Sequence, residues 1–136
     1  MTGDFKINHF LGIDWGKSRV GLSLADSETR IAFAYGTISN DSDFIDKLVK
    51  IIEKEGVVTV IIGIPSYINR KAVEYDGEKL GKLLQDIIPA IKIGYQNEMF
   101  TTKMAQKKLI QKGSKNLKAR DDQEAARIIL QEWLDK

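Results

Sequence analysis

Three carboxylates in this sequence stand where an α/β chain could gather chemistry. Asp14 ends the apolar run "HFLGID", Glu98 lies in "YQNEMFTT", and Asp122 lies in "ARDDQEAAR". Carboxylates brought together repel and raise one another's pKa unless a cation sits between them. Hard divalent cations, Mg²⁺ above all, take such oxygen ligands and keep several waters. Two such ions about 4 Å apart can activate a water and stabilise the leaving oxygen in an in-line attack on a phosphodiester. A plainer explanation exists for one of the three. An acid near a helix N-terminus is favoured by the dipole, so Asp121 or Asp122 could be an N-cap and nothing more. Asp14 resists that explanation, because an acid after Leu11 and Ile13 at a strand end neither caps a helix nor helps a sheet.

The surroundings of Asp14 invite comparison with a phosphate loop, since "GIDWGKS" has a glycine, then Gly-Lys-Ser. That loop needs four residues between its first glycine and the Gly-Lys pair, and its backbone N–H groups wrap the phosphates. Here only Ile13, Asp14 and Trp15 intervene, and Asp14 would aim a negative charge at the ligand. A phosphate loop also opens a helix, whereas "RVGLSLA" places Val20, Leu22 and Leu24 at period two and reads as a strand. Gly16 then falls in a strand-to-strand turn that calls for a permissive backbone.

The remaining elements follow from periodicity. "RIAFAYGTIS" (30–39) reads as a third strand and 40–56 as a helix, with its N-cap in the Asn/Asp/Ser cluster, a stripe of Phe44, Leu48 and Ile51/Ile52, and Gly56 as its stop. "VVTVIIGIP" (57–65) is a β-branched run typical of a strand covered on both faces. A loop carrying Tyr67 and Asn69 leads to a helix over 73–88, with Leu80, Leu83/Leu84 and Ile87 inward. A further buried strand follows at 90–95, then helices at 101–113 and 121–134. Strands joined by short turns are antiparallel neighbours, and strands reached through a helix are parallel crossovers. The expectation is an α/β fold with a mixed five-stranded sheet, three antiparallel strands and then two parallel crossovers, and helices on both faces. Ligands in such sheets collect beyond the carboxyl ends of the parallel strands.

Composition narrows the classes. The chain has 136 residues, 43% hydrophobic and 29% charged, which is enough for one domain over 1–136 with a proper core. Without cysteine it can have neither a disulfide framework nor a zinc-thiolate site. The opening "MTGDFKINHF" lacks the apolar run of a signal peptide, and no segment is long enough to span a bilayer, so the expected compartment is the cytoplasm. A net charge of +2 does not announce a nucleic-acid partner by itself. Residues 103–120, however, hold seven Lys/Arg and no acid, which suits either a solvated face or a phosphate-contacting surface. His9 reads as a strand-entry surface residue and Trp133 as core, on one helix face with Ala126 and Ile129/Leu130. Trp15, directly after Asp14, could stack on a base or cover the sheet edge. For Tyr67 and Asn69, a surface loop is the simpler reading.

Four ordered motifs resemble the YqgF/RuvX family of RNase H-like nucleases, described as Holliday-junction-resolvase-like proteins and as nucleases that mature the 5′ end of precursor 16S ribosomal RNA. They are "GIDWGKSRVG" for Gly-x-Asp-x-Gly-x-x-Arg-x-Gly, "IIGIP" for Val-x-Gly-Leu-Pro, "NEMFTT" for Asp-Glu-Arg-x-Thr-Thr, and "DQEAARIILQ" for Asp-x-x-Ala-Ala-x-x-Ile-Leu-Gln. The likeness is collinear over roughly residues 9–135. It implies an RNase H-like fold, with Asp14, Glu98 and Asp122 as catalytic ligands of Mg²⁺ or Mn²⁺, two ions being expected. It makes Arg19 and Thr101 or Thr102 candidate substrate or supporting contacts; beside it, Lys17 is a further candidate phosphate contact, and the basic run, through Lys107, Lys108 and Lys115, would hold the nucleic-acid backbone. The implied substrate is an rRNA precursor or branched DNA, with the ribosomal subunit as a further partner and the protein a monomer or weak homodimer. Two positions depart from the pattern. Asn97 replaces the usual aspartate and Met99 the usual arginine, which removes a charge near Glu98 and a cation near the phosphate. Two rival readings are a nucleic-acid or ribosome-assembly binding protein without turnover, and a fragment of the actin/Hsp70/sugar-kinase ATPases.

Overall fold

The computed structural model describes residues 7–64, 76–97 and 117–136, with the side chains of all of these except 117–121. The elements in chain order are β1 (His9–Asp14), β2 (Arg19–Asp26), β3 (Phe33–Ser39), α1 (Phe44–Glu55), β4 (Val57–Ile64), α2 (Asp76–Ile87), β5 (Lys92–Asn97) and α3 (Leu117–Leu134). The strands form one sheet in the order β3-β2-β1-β4-β5. β1 pairs antiparallel with β2, and β2 with β3; β4 runs parallel to both β1 and β5. This is the mixed sheet expected from the sequence. The helix expected over 101–113 lies outside the described residues, as do Tyr67, Asn69, Glu98, Met99, Thr101, Thr102, Lys107, Lys108 and Lys115.

Strand alternation divides the core in two. Leu11 and Ile13 of β1, Val20 and Leu22 of β2, and Val60 and Ile62 of β4 pack with Phe44, Leu48 and Ile52 of α1 and Leu80 and Leu84 of α2. On the opposite face, Ala25 and Ile61 pack with Ile129, Leu130 and Leu134 of α3, joined by Phe10 and Trp133. The helices thus cover both faces. Every residue of β4 from Val60 to Ile62 is fully buried, as its unbroken apolar run requires.

Several boundaries differ from the sequence reading for local reasons. β3 begins at Phe33 because the chain turns first. The Asp26 carboxylate accepts the N–H groups of Glu28 and Thr29 (2.9 and 2.7 Å), and Arg30 adopts a left-handed φ of 54°. The Thr29 N–H and hydroxyl bonds hold the Asp26 pKa below its ordinary value against a smaller opposing effect of burial. Asp43 occupies the α1 N-cap but makes no side-chain cap bond. The entry is instead organised by Asp41, whose carboxylate accepts from the Asp43 N–H (3.0 Å) and whose carbonyl accepts from the Phe44 N–H (3.1 Å). Gly56 ends α1 as expected, in a left-handed conformation (φ 64°) that lets its N–H reach the Glu53 and Ile52 carbonyls. β5, expected to be buried, is an edge strand of half-buried and exposed residues, with none fully buried, because nothing pairs beyond it among the described residues.

Candidate active site

Asp14 closes β1 at 9% exposure, on the face of the sheet that carries α3. Its cross-strand partner is Gly21. A Cβ at position 21 would fall on the main-chain carbonyl of Asp122 and lie 2.9 Å from the Asp122 Cβ. Helix α3 therefore rests directly on the backbone of β2, and a directly opposed pair has Cβ atoms only about 5 Å apart. Asp14 and Asp122 consequently share one small patch of the sheet, although 108 positions of sequence separate them (122 − 14).

Other contacts set the register of the helix. A Cβ at Gly12 would lie 2.8 Å from the Leu130 Cβ and 2.9 Å from the Ala126 carbonyl oxygen, so this glycine too is required by close approach. The buried Ser23 hydroxyl donates to the Ala126 carbonyl at 2.7 Å. Gln123 Nε2 donates to Thr37 Oγ1 at 3.1 Å. Arg19 Nε donates to Asp122 Oδ2 at 3.1 Å, in an ion pair whose side chains are 39% and 23% exposed. At the far end, the Arg30 guanidinium donates to the Leu134 carbonyl at 2.7 Å, where a cation suits the helix C-terminus. Farther along α3, Arg127 and Glu124 are paired at 2.6 Å, and the Glu124 carboxylate raises the Arg127 pKa above its ordinary value.

The structure changes the reading of Asp122. α3 starts at Leu117, so Asp122 lies beyond the first turn and is neither its N-cap nor a first-turn acid. It continues the face that carries Ala125, Ala126, Ile129, Leu130 and Leu134 onto the sheet. Gly16 is also explained differently. Its φ is not left-handed; a Cβ there would instead meet the Arg19 carbonyl oxygen across the turn. Asn40 secures that turn by donating to the Gly16 carbonyl at 2.7 Å. Lys17 is exposed in the same turn.

The aromatics have structural partners. Trp15 meets Phe44 edge to face, with ring centroids 5.3 Å apart, and so covers the sheet edge on the α1 side, opposite to Asp14. Trp133 meets Phe10 in the same manner at 5.7 Å, as its core reading required. His9 is half-buried at the entry to β1.

The structure thus brings Asp14, Asp122 and Arg19 together, leaves Lys17 exposed nearby, and does not describe Glu98. Among the described residues no group of three or more His, Cys, Asp or Glu gathers for a metal. The pair of carboxylates offers a hard, all-oxygen partial donor set, which fits a divalent cation of the Mg²⁺ type and would not suit a soft one. The Arg19 pairing is the feature sequence reasoning missed, because partners 103 positions apart leave no local signal.

The five-stranded mixed sheet, with an acid at the end of its central strand and a second acid on α3, is the RNase H-like fold that resolvases among the solved structures share. The family described as "RuvX: Holliday junction resolvase" matches residues 8–136, and the chain belongs to it. Among curated proteins, the chain is 31% identical over 130 residues to one from Cutibacterium acnes, covering 93% of this chain and 81% of that one. It is 32% identical to one from Porphyromonas gingivalis, covering 95% and 97%. Both carry the name "Putative pre-16S rRNA nuclease". Among solved structures, T. thermophilus RuvC in complex with Holliday junction substrate aligns with a TM-score of 0.56 at 18% identity over 93% of each chain. The Fowlpox virus resolvase in complex with Holliday junction DNA aligns with a TM-score of 0.62 at 12% identity, over 96% of this chain and 97% of that one. At those identities the likeness speaks for the fold. The family and its relatives bear the names of nucleases, which are hydrolases of phosphodiester bonds.

Proposed function

We propose that the protein is a metal-dependent endonuclease that cuts structured nucleic acid, with the 5′ extension of precursor 16S rRNA as its substrate. The observation that carries the reading is the convergence of Asp14 and Asp122 across the bare backbone of Gly21. Two acids held so near each other repel, and a divalent cation between them would add to the compensation that Arg19 already gives Asp122. Asp14 and Asp122 would hold Mg²⁺ or Mn²⁺ together with Glu98, the next residue in sequence after β5, a strand that ends at the same carboxyl edge of the sheet as β1. A divalent cation, when bound, supplies Lewis-acid stabilisation of charge developing on phosphoryl oxygens and lowers the pKa of water.

The chain's own residues supply the rest. The low exposure of Asp14 fixes its carboxylate at the strand end and strengthens its electrostatic reach. Arg19 and Lys17 bring positive charge to the same edge, where a phosphate would approach, and Thr101 is assigned a substrate contact. Lys107, Lys108 and Lys115 would bind the backbone of the nucleic acid. The protein acts as one domain over 1–136, as a monomer or weak homodimer, in the cytoplasm and in contact with the ribosomal subunit. Among the described residues no helix is long and apolar enough to cross a membrane.

A second reading, branched DNA as substrate, is favoured by the resolvase description of the family and by the junction complexes among the structural neighbours. One experiment separates the two. Cleavage of a 5′-extended rRNA fragment and of a four-way DNA junction is measured with Mg²⁺ and Mn²⁺, for wild type and Asp14→Asn. The variant is expected to lose more activity than the roughly 10–100-fold that loss of a supporting residue costs, with folding nearly intact. Full activity in Asp14→Asn would refute the site, and preferential cutting of the junction would transfer the assignment to DNA. Tight, metal-independent binding without cutting of either substrate would leave a binding protein, consistent with Asn97 and Met99.

A further inference from the structure

Arg19, Gly21 and Ser23 alternate along one face of β2, and each meets α3. The Arg19 side chain holds the Asp122 carboxylate, Gly21 admits the Asp122 backbone, and Ser23 bonds the Ala126 carbonyl. Arginine differs from lysine in presenting planar donors in fixed directions, so a hydrogen bond through Nε orients the carboxylate as well as attracting it. The bond is made to Oδ2 at 3.1 Å across a partly buried junction, beside a second acid that would repel Asp122.

We propose that Arg19 is the positioning residue of Asp122, fixing its carboxylate toward Asp14 so that the two present a ready donor pair to a divalent cation. This rests on the metal-site reading above. The assignment reverses a simple electrostatic expectation. Were Arg19 only a positive charge near the acids, or only a phosphate contact, removing it would tighten cation binding or leave it unchanged. As a positioning residue, its removal weakens cation binding, because Asp122 must then be ordered against repulsion from Asp14 when the cation arrives.

The test is Mn²⁺ titration by calorimetry, without nucleic acid, of wild type, Arg19→Gln, Arg19→Lys and Asp122→Asn, each checked for folding by circular dichroism. Arg19→Gln is expected to lose roughly 10–100-fold in Mn²⁺ affinity. Arg19→Lys should recover only part of that loss, because an ammonium restores the charge but not the directed donor. Unchanged or tighter Mn²⁺ binding in a folded Arg19→Gln overturns the proposal. Full recovery in Arg19→Lys also overturns it, and this variant decides the matter alone if the glutamine variant does not fold. If Asp122→Asn binds Mn²⁺ like wild type, the metal-site reading itself falls and the proposal with it. Weakened binding in Asp122→Asn but not in Arg19→Gln sinks the proposal and leaves the site standing.

Discussion

Replacing Gly21 by alanine should damage stability and chemistry together, whereas the same change at Gly36, one strand away, should damage neither. At position 21 the new methyl group falls on the main-chain carbonyl of Asp122, and backbone cannot swing aside as the end of a flexible side chain would. Sliding is blocked as well, since Ala126 and Leu130 already press on Gly12. The N-terminal half of α3 must therefore lift, by on the order of 1 Å to restore ordinary van der Waals distances. Overpacking of this kind costs about 1–3 kcal/mol, offset by the roughly 0.5–1 kcal/mol that alanine gains over glycine in a strand. A clash with backbone falls in the upper part of that range, so the net loss is about 1–2.5 kcal/mol, which urea unfolding resolves as a lower midpoint at unchanged slope. A misplacement of ~1 Å at reacting groups costs on the order of 100-fold in rate, so Mn²⁺-dependent cleavage should fall much further than stability. At Gly36 no atom lies within 4 Å of the added carbon and φ is not left-handed, so alanine there should be neutral or mildly stabilising and fully active. Wild-type stability of Gly21→Ala would refute the seating of α3 on β2. A destabilised but fully active variant would show that the placement of Asp122 does not matter to catalysis.

Tyr35 donates to Glu55 Oε2 at 2.7 Å, and this bond to a carboxylate, more than burial, raises the phenol pKa. The folded protein thus holds the phenolic proton more tightly than the unfolded chain. Tyr35→Phe should cost about 1 kcal/mol below the ordinary tyrosine range, and the difference from wild type should vanish as pH rises through the raised value, as read by urea unfolding from neutral to about pH 11. Reversing the charges of Lys107, Lys108 and Lys115 should reduce the salt slope of nucleic-acid binding by roughly 0.9 for each phosphate that is no longer neutralised, and an unchanged slope would leave these residues as a solvated face. Leu84→Ala and Leu130→Ala, at two fully buried positions on opposite faces, should each cost about 2–5 kcal/mol. Only Leu130→Ala should also weaken Mn²⁺ binding, which calorimetry on the folded proteins would detect.

How much of the molecule is legible without its structure depends on whether the signal is local. The first hairpin, with Asp14 at its turn, follows from period-two alternation in "FLGID" and "RVGLSLA", and the centrality of β4 follows from its β-branched run. The start of α3 is hidden because Leu117–Arg120 read as the tail of a basic run. Without those residues in the helix, Asp122 looks like a cap. The stripe itself holds the answer, since Asp122, Ala125/Ala126, Ile129/Leu130 and Trp133/Leu134 recur at helical spacing, so an acid stands where the stripe calls for a residue facing the sheet. The composition of β5 suggests burial, but burial of an outer strand depends on what lies beside it, and no pattern within six residues carries that. The Arg19 partnership is illegible for the same reason.

The division of the sheet explains why glycine, and not a larger residue, recurs around Asp14. On the α1 and α2 side, the strands offer Leu11, Ile13, Val20 and Leu22, and helices stand off at side-chain distance to bury them. On the α3 side, the same two strands offer Gly12, Gly21, Ser23 and Ala25, and the helix comes down onto the backbone. Only that second arrangement can set a helix carboxylate beside a strand carboxylate, because an intervening layer of leucine would hold Asp122 several ångströms away from Asp14. Alternation then assigns Trp15, the next residue after Asp14, to the opposite face, where it packs on Phe44. Most large side chains of this hairpin stabilise the fold from one side, while on the other, beyond Phe10 at the far end of β1, the small ones leave room for the candidate site.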